Sequence, residues 1–473
     1  MEHYKTVIIG AGISGLAAAE SLHEKNVDYA IFEARDRVGG RIQTDRTGLA
    51  PYDLGASWAH DTLTNPLFDT ILDKIDVEEK DEYNLYYDDQ RPLYFSDIKG
   101  PKFFENNKIE QVMHELEKFV ELKYFEEIDK EDVPLRDIIH EYISKQKRLL
   151  TKEQVLYAPQ LARHLELWHG IGWDEMSSKF GLVDNVGRNC LFRNGYDIVI
   201  NNIVSKLDSN RIFLNSIVKK IDRTKLPIKV EFTNGKVVTC DWIICTVPQS
   251  ILQLKVPEIG SIEWNPALPT RIQDALSNMS WGKLGKIIFE FEEPWWKHFD
   301  TDRFVALAKP DDADKVNDGL PKPWDFPVLV LNLYKIFNVP ALLCFTQGKL
   351  TEYLERNPDK AWSYMSPILS RLINKDLDEP NDIEQVNPPT NTIVSQWTVD
   401  PFSRGSYAAC NPNNDPTDLV IQLEKGIQNV RFAGEHTILD GAGAVHGAWM
   451  SGRREADHIL IKENIIEGTL DEW

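Results

Sequence analysis

The sequence predicts an α/β protein (α+β mixed) in which a βαβ-based unit is interleaved along the chain with a second unit of mixed sheet and helices. Three observations predict it. A β-branched run, 5–9, leads into Gly10-Ala-Gly12-Ile-Ser-Gly15, a helical stretch, 16–25, and a second apolar run, 29–32. The middle of the chain, 204–245, holds three short strand-like runs at 211–215, 229–232 and 237–245, with a type I′ hairpin signal at Asn234-Gly235. The remaining segments differ in texture. Residues 76–190 read as helical and acidic, while 280–390 carry long strands at 286–291 and 328–334, then helices around 350–372.

The first run carries the earliest chemistry. Gly10, Gly12 and Gly15 have the spacing of a dinucleotide-binding turn, and Glu33 closes the second strand 18 residues after Gly15. Gly10 permits the tight turn, Gly12 lets a pyrophosphate approach the backbone, and Gly15 lets the helix pack on the strand. The helix N-terminus presents its positive dipole end to the phosphates. Glu33 suits ribose hydroxyls and repels a 2′-phosphate. Two residues later, Arg35-Asp-Arg-Val-Gly39-Gly40-Arg41 adds two more glycines for close approach. Its Arg35 and Arg41 can meet pyrophosphate oxygens; the alternative is a surface turn with solvated arginines.

Composition narrows the rest. At roughly 100–200 residues per domain, 473 residues hold several domains with ample core. The 20 Phe, 15 Tyr and 13 Trp exclude a disordered chain. Lys plus Arg is 53 against 74 Asp plus Glu, a net charge of −21, which argues against nucleic-acid and anionic-membrane partners. The surplus suits a polycationic ligand and equally serves solubility. Five scattered cysteines without CxxC spacing point to no disulfide framework, no metal and a reducing compartment. Residues 6–19 could pass for a signal-peptide core, but three glycines break them and Glu20 and Glu24 follow. Residues 327–345 read as two buried strands with a turn, not a membrane span. The C-terminal Asp-Glu-Trp is not a peroxisomal address, so the expected location is cytoplasmic. Charge runs at 309–318 and 376–384 read as solvated loops.

Glu33-Ala34-Arg35-Asp-Arg-Val-Gly39-Gly40-Arg41 resembles the signature of the flavin-dependent amine oxidases. Further segments resemble that family in the same order: Gly55-Ala56-Ser57-Trp58-Ala-His60, Leu284-Gly-Lys286-Ile-Ile-Phe, and Arg431-Phe-Ala-Gly434-Glu435-His-Thr with Gly452-Arg-Arg-Glu-Ala456. The resemblance runs from about residue 5 to about 462 and is strongest to fungal polyamine oxidases, on the segments 58–66, 165–170 and 400–405. It implies the amine oxidase fold. An FAD-binding domain of two dinucleotide-binding type would comprise 1–75, 195–265 and 392–465, and a substrate domain 76–194 and 266–391. It also implies that Val218 meets adenine, that Glu435 holds the ribityl or phosphate end, and that Ala444 and Val445 open a helix toward the flavin. Gly55, Ala56, Ser57, Trp58 and Trp397 would line the ring. Ser406 stands where monoamine oxidases carry the cysteine that bonds the flavin, so non-covalent FAD is expected.

The chemistry so implied is oxidation of spermine or N-acetylated polyamines at a carbon beside a secondary amine. Hydride goes to flavin N5, O2 becomes H2O2, and the imine hydrolyses to an amine and an aminoaldehyde. Lys286, in an apolar strand where lysine is unwelcome, is implied to hold a water at N5; the alternative is a strand-edge lysine snorkelling to water. His60 is a candidate to hold the amine, or else a structural histidine. Trp168 and Tyr407 are expected aromatic walls. Asp88, Asp89, Asn189 and His446 are expected substrate contacts. Ala444, His446 and Asn185 depart from the family pattern. A monomer or homodimer is expected. The alternatives are a hydrophobic-ligand (corticosteroid-type) binding protein on the same scaffold, and a monoamine oxidase.

Overall fold

The computed structural model describes residues 1–72, 84–87, 91–97, 109–126, 130–181, 186–310, 319–373 and 386–470. Asp88, Asp89, Asn185 and nearly all of the two charged loops lie outside the described residues.

An eight-stranded sheet carries the N-terminal motif. Strand Glu2–Ile9 lies between Tyr29–Phe32 and Val237–Cys245, parallel to both, as its fully buried second half, Thr6–Ile9, requires of a strand covered on two faces. Val237–Cys245 changes partner along its length. Its first half pairs antiparallel with Ile228–Phe232, its second half parallel with Val430–Phe432. The register aligns Ile9, Phe32, Cys245 and Phe432 across four neighbouring strands. The residues that follow them, Gly10, Glu33, Thr246 and Ala433, therefore emerge together at the carboxyl edge, where open α/β sheets bind ligands.

Two details differ from expectation. Val218–Asp222 is a further strand, antiparallel to Ile228–Phe232. At Asn234-Gly235 only Gly235 takes a positive φ, +86°, and its N–H donates to the Phe232 carbonyl at 3.1 Å, so the loop is longer and bulged rather than type I′.

The second sheet has six strands, in the order Asn391–Val394, Gly285–Glu290, Ala341–Thr346, Val328–Asn332, Arg303–Ala306 and Leu93–Phe95. The segment 327–345 is two strands as expected, but a short helix, Leu333–Phe337, replaces the turn. Strand Asn391–Val394 pairs with Gly285–Glu290, so the expected boundary at 391/392 falls inside this sheet. Period-two alternation sorts its side chains. Ile287, Phe289, Val330 and Cys344 pack with Leu350 and Met365 on one face; Ile288, Leu329, Leu331 and Phe345 pack toward helices Ile109–Glu126, Leu135–Gln146 and Lys152–Ala162 on the other. Lys286 shares the parity of Ile288. Among the described residues no helix is long and apolar enough to cross a membrane.

Helix Ile13–Glu24 packs on the C-terminal helix Val445–Lys462 through a glycine contact. A Cβ on Gly452 would sit 2.0 Å from the Ser14 carbonyl oxygen. Helix propensity alone favours alanine there by about 1 kcal/mol. The crossing predicts the opposite sign: Gly452→Ala destabilises by about 1–3 kcal/mol, read as a lower urea midpoint. A raised midpoint would show that the helices do not meet at Gly452.

Candidate active site

A cavity of about 630 Å³ runs from the N-terminal glycine turn to the helical side of the second sheet. At its first end the chain is held by long-range polar contacts. Glu33, 3% exposed, accepts the N–H groups of Ala11 at 2.7 Å and Arg35 at 2.9 Å, which staples the Gly10–Gly12 turn to the second strand. Gly10 adopts φ +103°, and a Cβ there would lie 2.5 Å from Thr246 Oγ1. Arg35 donates to Asp400 Oδ2 at 3.0 and 2.8 Å and lies over the Phe402 ring. Arg41 donates to the Ser406 carbonyl at 2.8 Å and to buried Glu435 at 2.9 Å, joining the two ends of the chain. Ala34, Gly39, Gly40, Val218, Gly434, Ala444 and Val445 also line the cavity. Gly15 does not: it lies against the Gly10 carbonyl, its packing role.

Lys286 lies further along, 3% exposed. Its ammonium donates to the carbonyls of Asp53 at 2.8 Å and Gly55 at 2.5 Å and to Ser57 Oγ at 2.5 Å, so all three protons are used by one segment. Trp58 and Phe345 flank it at 5.5 and 5.4 Å. Burial pulls its pKa down to about 8, against the opposing pull of the Asp53 carboxylate. Burial in turn raises Asp53, although Lys286, Thr44 and the Tyr196 N–H favour its ionised form.

Glu355 was not legible as a site residue. Its buried carboxylate accepts from Ser395 Oγ (2.6 Å), Trp397 N (3.0 Å), and Thr398 N and Oγ1 (both 2.6 Å). Ser395 Oγ also accepts the Lys286 N–H at 2.9 Å, and the Trp397 indole donates to the Leu54 carbonyl at 2.7 Å. One carboxylate thus sets Trp397 beside the lysine strand. In sequence it is one more glutamate on an amphipathic helix, Gly348–Arg356.

At the far end, the structure brings together His60 and Asn189, with Nδ1 2.8 Å from Oδ1. Burial lowers the His60 pKa, so the ring is neutral at pH 7. The Tyr407 hydroxyl donates to the Trp168 carbonyl, and both rings line the cavity with His60 and Asn189. His446 is a correction. It is 2% exposed and packed under Gly441, 3.8 Å from Asp61, and it does not line the cavity, because the 441–444 turn covers the first turn of its helix. Leu165, Leu284, Leu329, Leu331 and Phe345 make much of this end apolar, and Glu117 and Arg303 add charge.

The family model for flavin-containing amine oxidoreductases matches residues 13–460. The chain belongs to this family. Among its relatives, a corticosteroid-binding protein of Candida albicans is 39% identical over 98% of this chain and 96% of its own. Polyamine oxidase 4 of Oryza sativa subsp. japonica is 29% identical over 97% and 90%. A double mutant of putrescine oxidase, redesigned in its cofactor binding, superposes with a TM-score of 0.70 at 19% identity, over 97% of this chain and 99% of the other; it shares the fold.

As a flavin-containing amine oxidoreductase, the chain takes FAD, and the cavity fits it. The glycine turn leaves bare backbone at the sheet edge, and no side chain fits on Gly10. The His436 ring is 2% exposed and lines the cavity, yet neither nitrogen has a partner among the described residues, an orphaned polar group that a polar cofactor would satisfy. Burial holds its pKa at about 4. His436 was missed in sequence, although it directly follows Gly434-Glu435. Ser406 Oγ accepts the Leu284 N–H at 3.0 Å and offers no thiol for a covalent bond. Acid precipitation of the yellow protein is expected to leave the flavin in the supernatant; colour in the pellet refutes the non-covalent link.

The depressed pKa of Lys286 also has a thermodynamic signature. The unfolded lysine holds its proton up to about pH 10.4, the folded one releases it earlier, so stability rises with pH between the two values and this contribution is lost as pH falls toward 8. Lys286→Met is expected to flatten that rise in urea unfolding between pH 8 and 10. Parallel wild-type and variant curves would place the lysine in water.

Proposed function

We propose that this flavoenzyme oxidises polyamines such as spermine and N1-acetylspermine with O2 as acceptor. A secondary amine plus O2 and water becomes an aminoaldehyde, a shorter amine and H2O2. When bound, FAD supplies the hydride acceptor. The observation that carries this reading is the neutral, aromatic amine slot. His60, held by Asn189 and kept uncharged by burial, stands in one cavity with Tyr407, Trp168 and the buried Lys286. The reacting amine must be unprotonated to lose hydride, and neutral His60, its one proton on Nδ1 toward Asn189 Oδ1, offers its Nε2 lone pair to an amine N–H without adding a competing charge. Tyr407 walls the reacting nitrogen, and Trp168, joined to it through its carbonyl, extends the aromatic wall. Lys286 keeps the 53–57 segment in place, and it would order a water at the reacting end only by exchanging one of its three bonds to that segment for the water. In this reading the cofactor part comprises 1–75, 195–265 and the segment after the 391–394 strand, and the remainder holds the substrate. The plant relative named polyamine oxidase supports the substrate class.

A second reading is favoured by the apolar lining of Leu165, Leu329, Leu331 and Phe345, and by the relative named for corticosteroid binding: an apolar ligand held without turnover. Peroxide release decides between them. Spermine and N1-acetylspermine are expected to be oxidised, with kcat/KM rising from about pH 7 to about 9 as an amine of pKa near 10 deprotonates. Added salt is expected to slow spermine more than its monoacetyl form, since the chain carries −21. Equal turnover of butylamine, or no salt effect on spermine, refutes the polyamine assignment. Steroid binding in equilibrium dialysis with no peroxide from any amine establishes the second reading.

A further inference from the structure

The short helical turn around Trp168 holds two histidines to which the proposed chemistry gives no part. His164 and His169 both line the cavity. His164 Nδ1 lies 2.7 Å from the Leu161 carbonyl oxygen, and His169 Nε2 lies 2.8 Å from that of Gly181. A carbonyl oxygen only accepts, so each of these nitrogens carries the ring proton. Nε2 of His164 and Nδ1 of His169 are therefore lone-pair acceptors, and neither has a protein partner among the described residues. Burial lowers the pKa of both rings, which keeps these lone pairs available at neutral pH.

The turn is rigid. Buried Glu166 accepts from Arg163 Nε at 2.9 Å, Trp173 N at 3.2 Å and Gln347 Nε2 at 2.6 Å. Gly170, at φ +65°, ends the helix, and its carbonyl accepts the Lys283 N–H at 2.7 Å. The Tyr407 hydroxyl on the Trp168 carbonyl ties the turn to the amine slot. Trp168 stands edge-on to His164, with centroids 6.4 Å apart, and is 48% exposed.

Two acceptors on one cavity, with the Trp168 ring next to His164, call for a ligand that donates several hydrogen bonds and carries positive charge. A protonated amine does both. A carboxylate would face two lone pairs, and a hydrocarbon skeleton would leave them unsatisfied. We propose that His164, Trp168 and His169 form a second amine subsite that holds a distal ammonium of the substrate while another nitrogen reacts at the Tyr407 end. This rests on the polyamine reading. Of the charged groups that also line the cavity, Glu117 favours such a guest, and the opposing charge of Arg303 is paired with Asp302.

Two measurements test it on the FAD-loaded protein. In anaerobic stopped flow, His164→Leu and His169→Leu are each expected to weaken spermine binding about ten-fold, leave the limiting rate of flavin reduction within about two-fold, and leave butylamine unchanged. His164→Gln, whose amide oxygen can stand where the Nε2 acceptor stood, is expected to recover most of the affinity. Equal weakening of spermine and butylamine, or none, overturns the subsite. The unaltered protein gives an independent check that does not depend on the variants folding. Diethylpyrocarbonate acylates accessible neutral imidazole nitrogens, and peptide mapping reads each site. Spermine is expected to protect His164 and His169 while butylamine does not, with exposed His114 reacting throughout. Full modification under saturating spermine overturns the subsite even where spermine is oxidised, whereas failure of every polyamine to be oxidised overturns the function and the subsite together.

Discussion

A lysine ammonium inside a sheet core is tolerable only if all of its protons find oxygen, and in this chain that requirement joins the two halves of the molecule. Lys286 belongs to the six-stranded sheet, while its three acceptors belong to the segment 53–57, which leaves the cofactor side of the fold. Removing any acceptor would strand a buried donor at a cost of about 1–3 kcal/mol. The position of Trp58, and of His60 two residues on, follows from this anchoring.

A second set of polar contacts closes the cavity from the C-terminal side. Arg41 to Glu435 and Arg35 to Asp400 each span more than 360 residues of chain. Glu355 adds a third hold, gathering Ser395, Trp397 and Thr398 behind the aromatic wall. These groups are buried or half-buried, so their worth lies less in net stability than in leaving one arrangement in which every partner is satisfied. An oxidoreductase site needs that uniqueness, because the reacting atoms have to be held within a fraction of an ångström.

Much of the cofactor end was legible because its signals are local. The glycine turn, the flanking β-branched strands and the acid at residue 33 lie within about thirty residues, and each has a backbone reason. Even there the structure adds a twist: the Glu33 carboxylate is occupied by Ala11 and Arg35 amides, and the Arg35 guanidinium by Asp400. The far end of the cavity was less legible. His60 and Asn189, 129 residues apart, were both picked out, but their contact was not. His446 was assigned to the substrate and lies beneath a glycine turn instead.

What the sequence determined by itself was the α/β class, the dinucleotide turn, the place of Lys286 in a buried strand and the absence of a cysteine beside Tyr407. Each depends on the order and type of neighbouring residues, which set backbone freedom and strand periodicity. Only the tertiary structure decided which oxygens hold Lys286, that Glu355 braces Trp397 from behind, that His436 faces the site, and which nitrogen of His164 and His169 carries the proton. A buried polar group is defined by its partner, and here the partner comes from a distant strand or turn that no local pattern encodes.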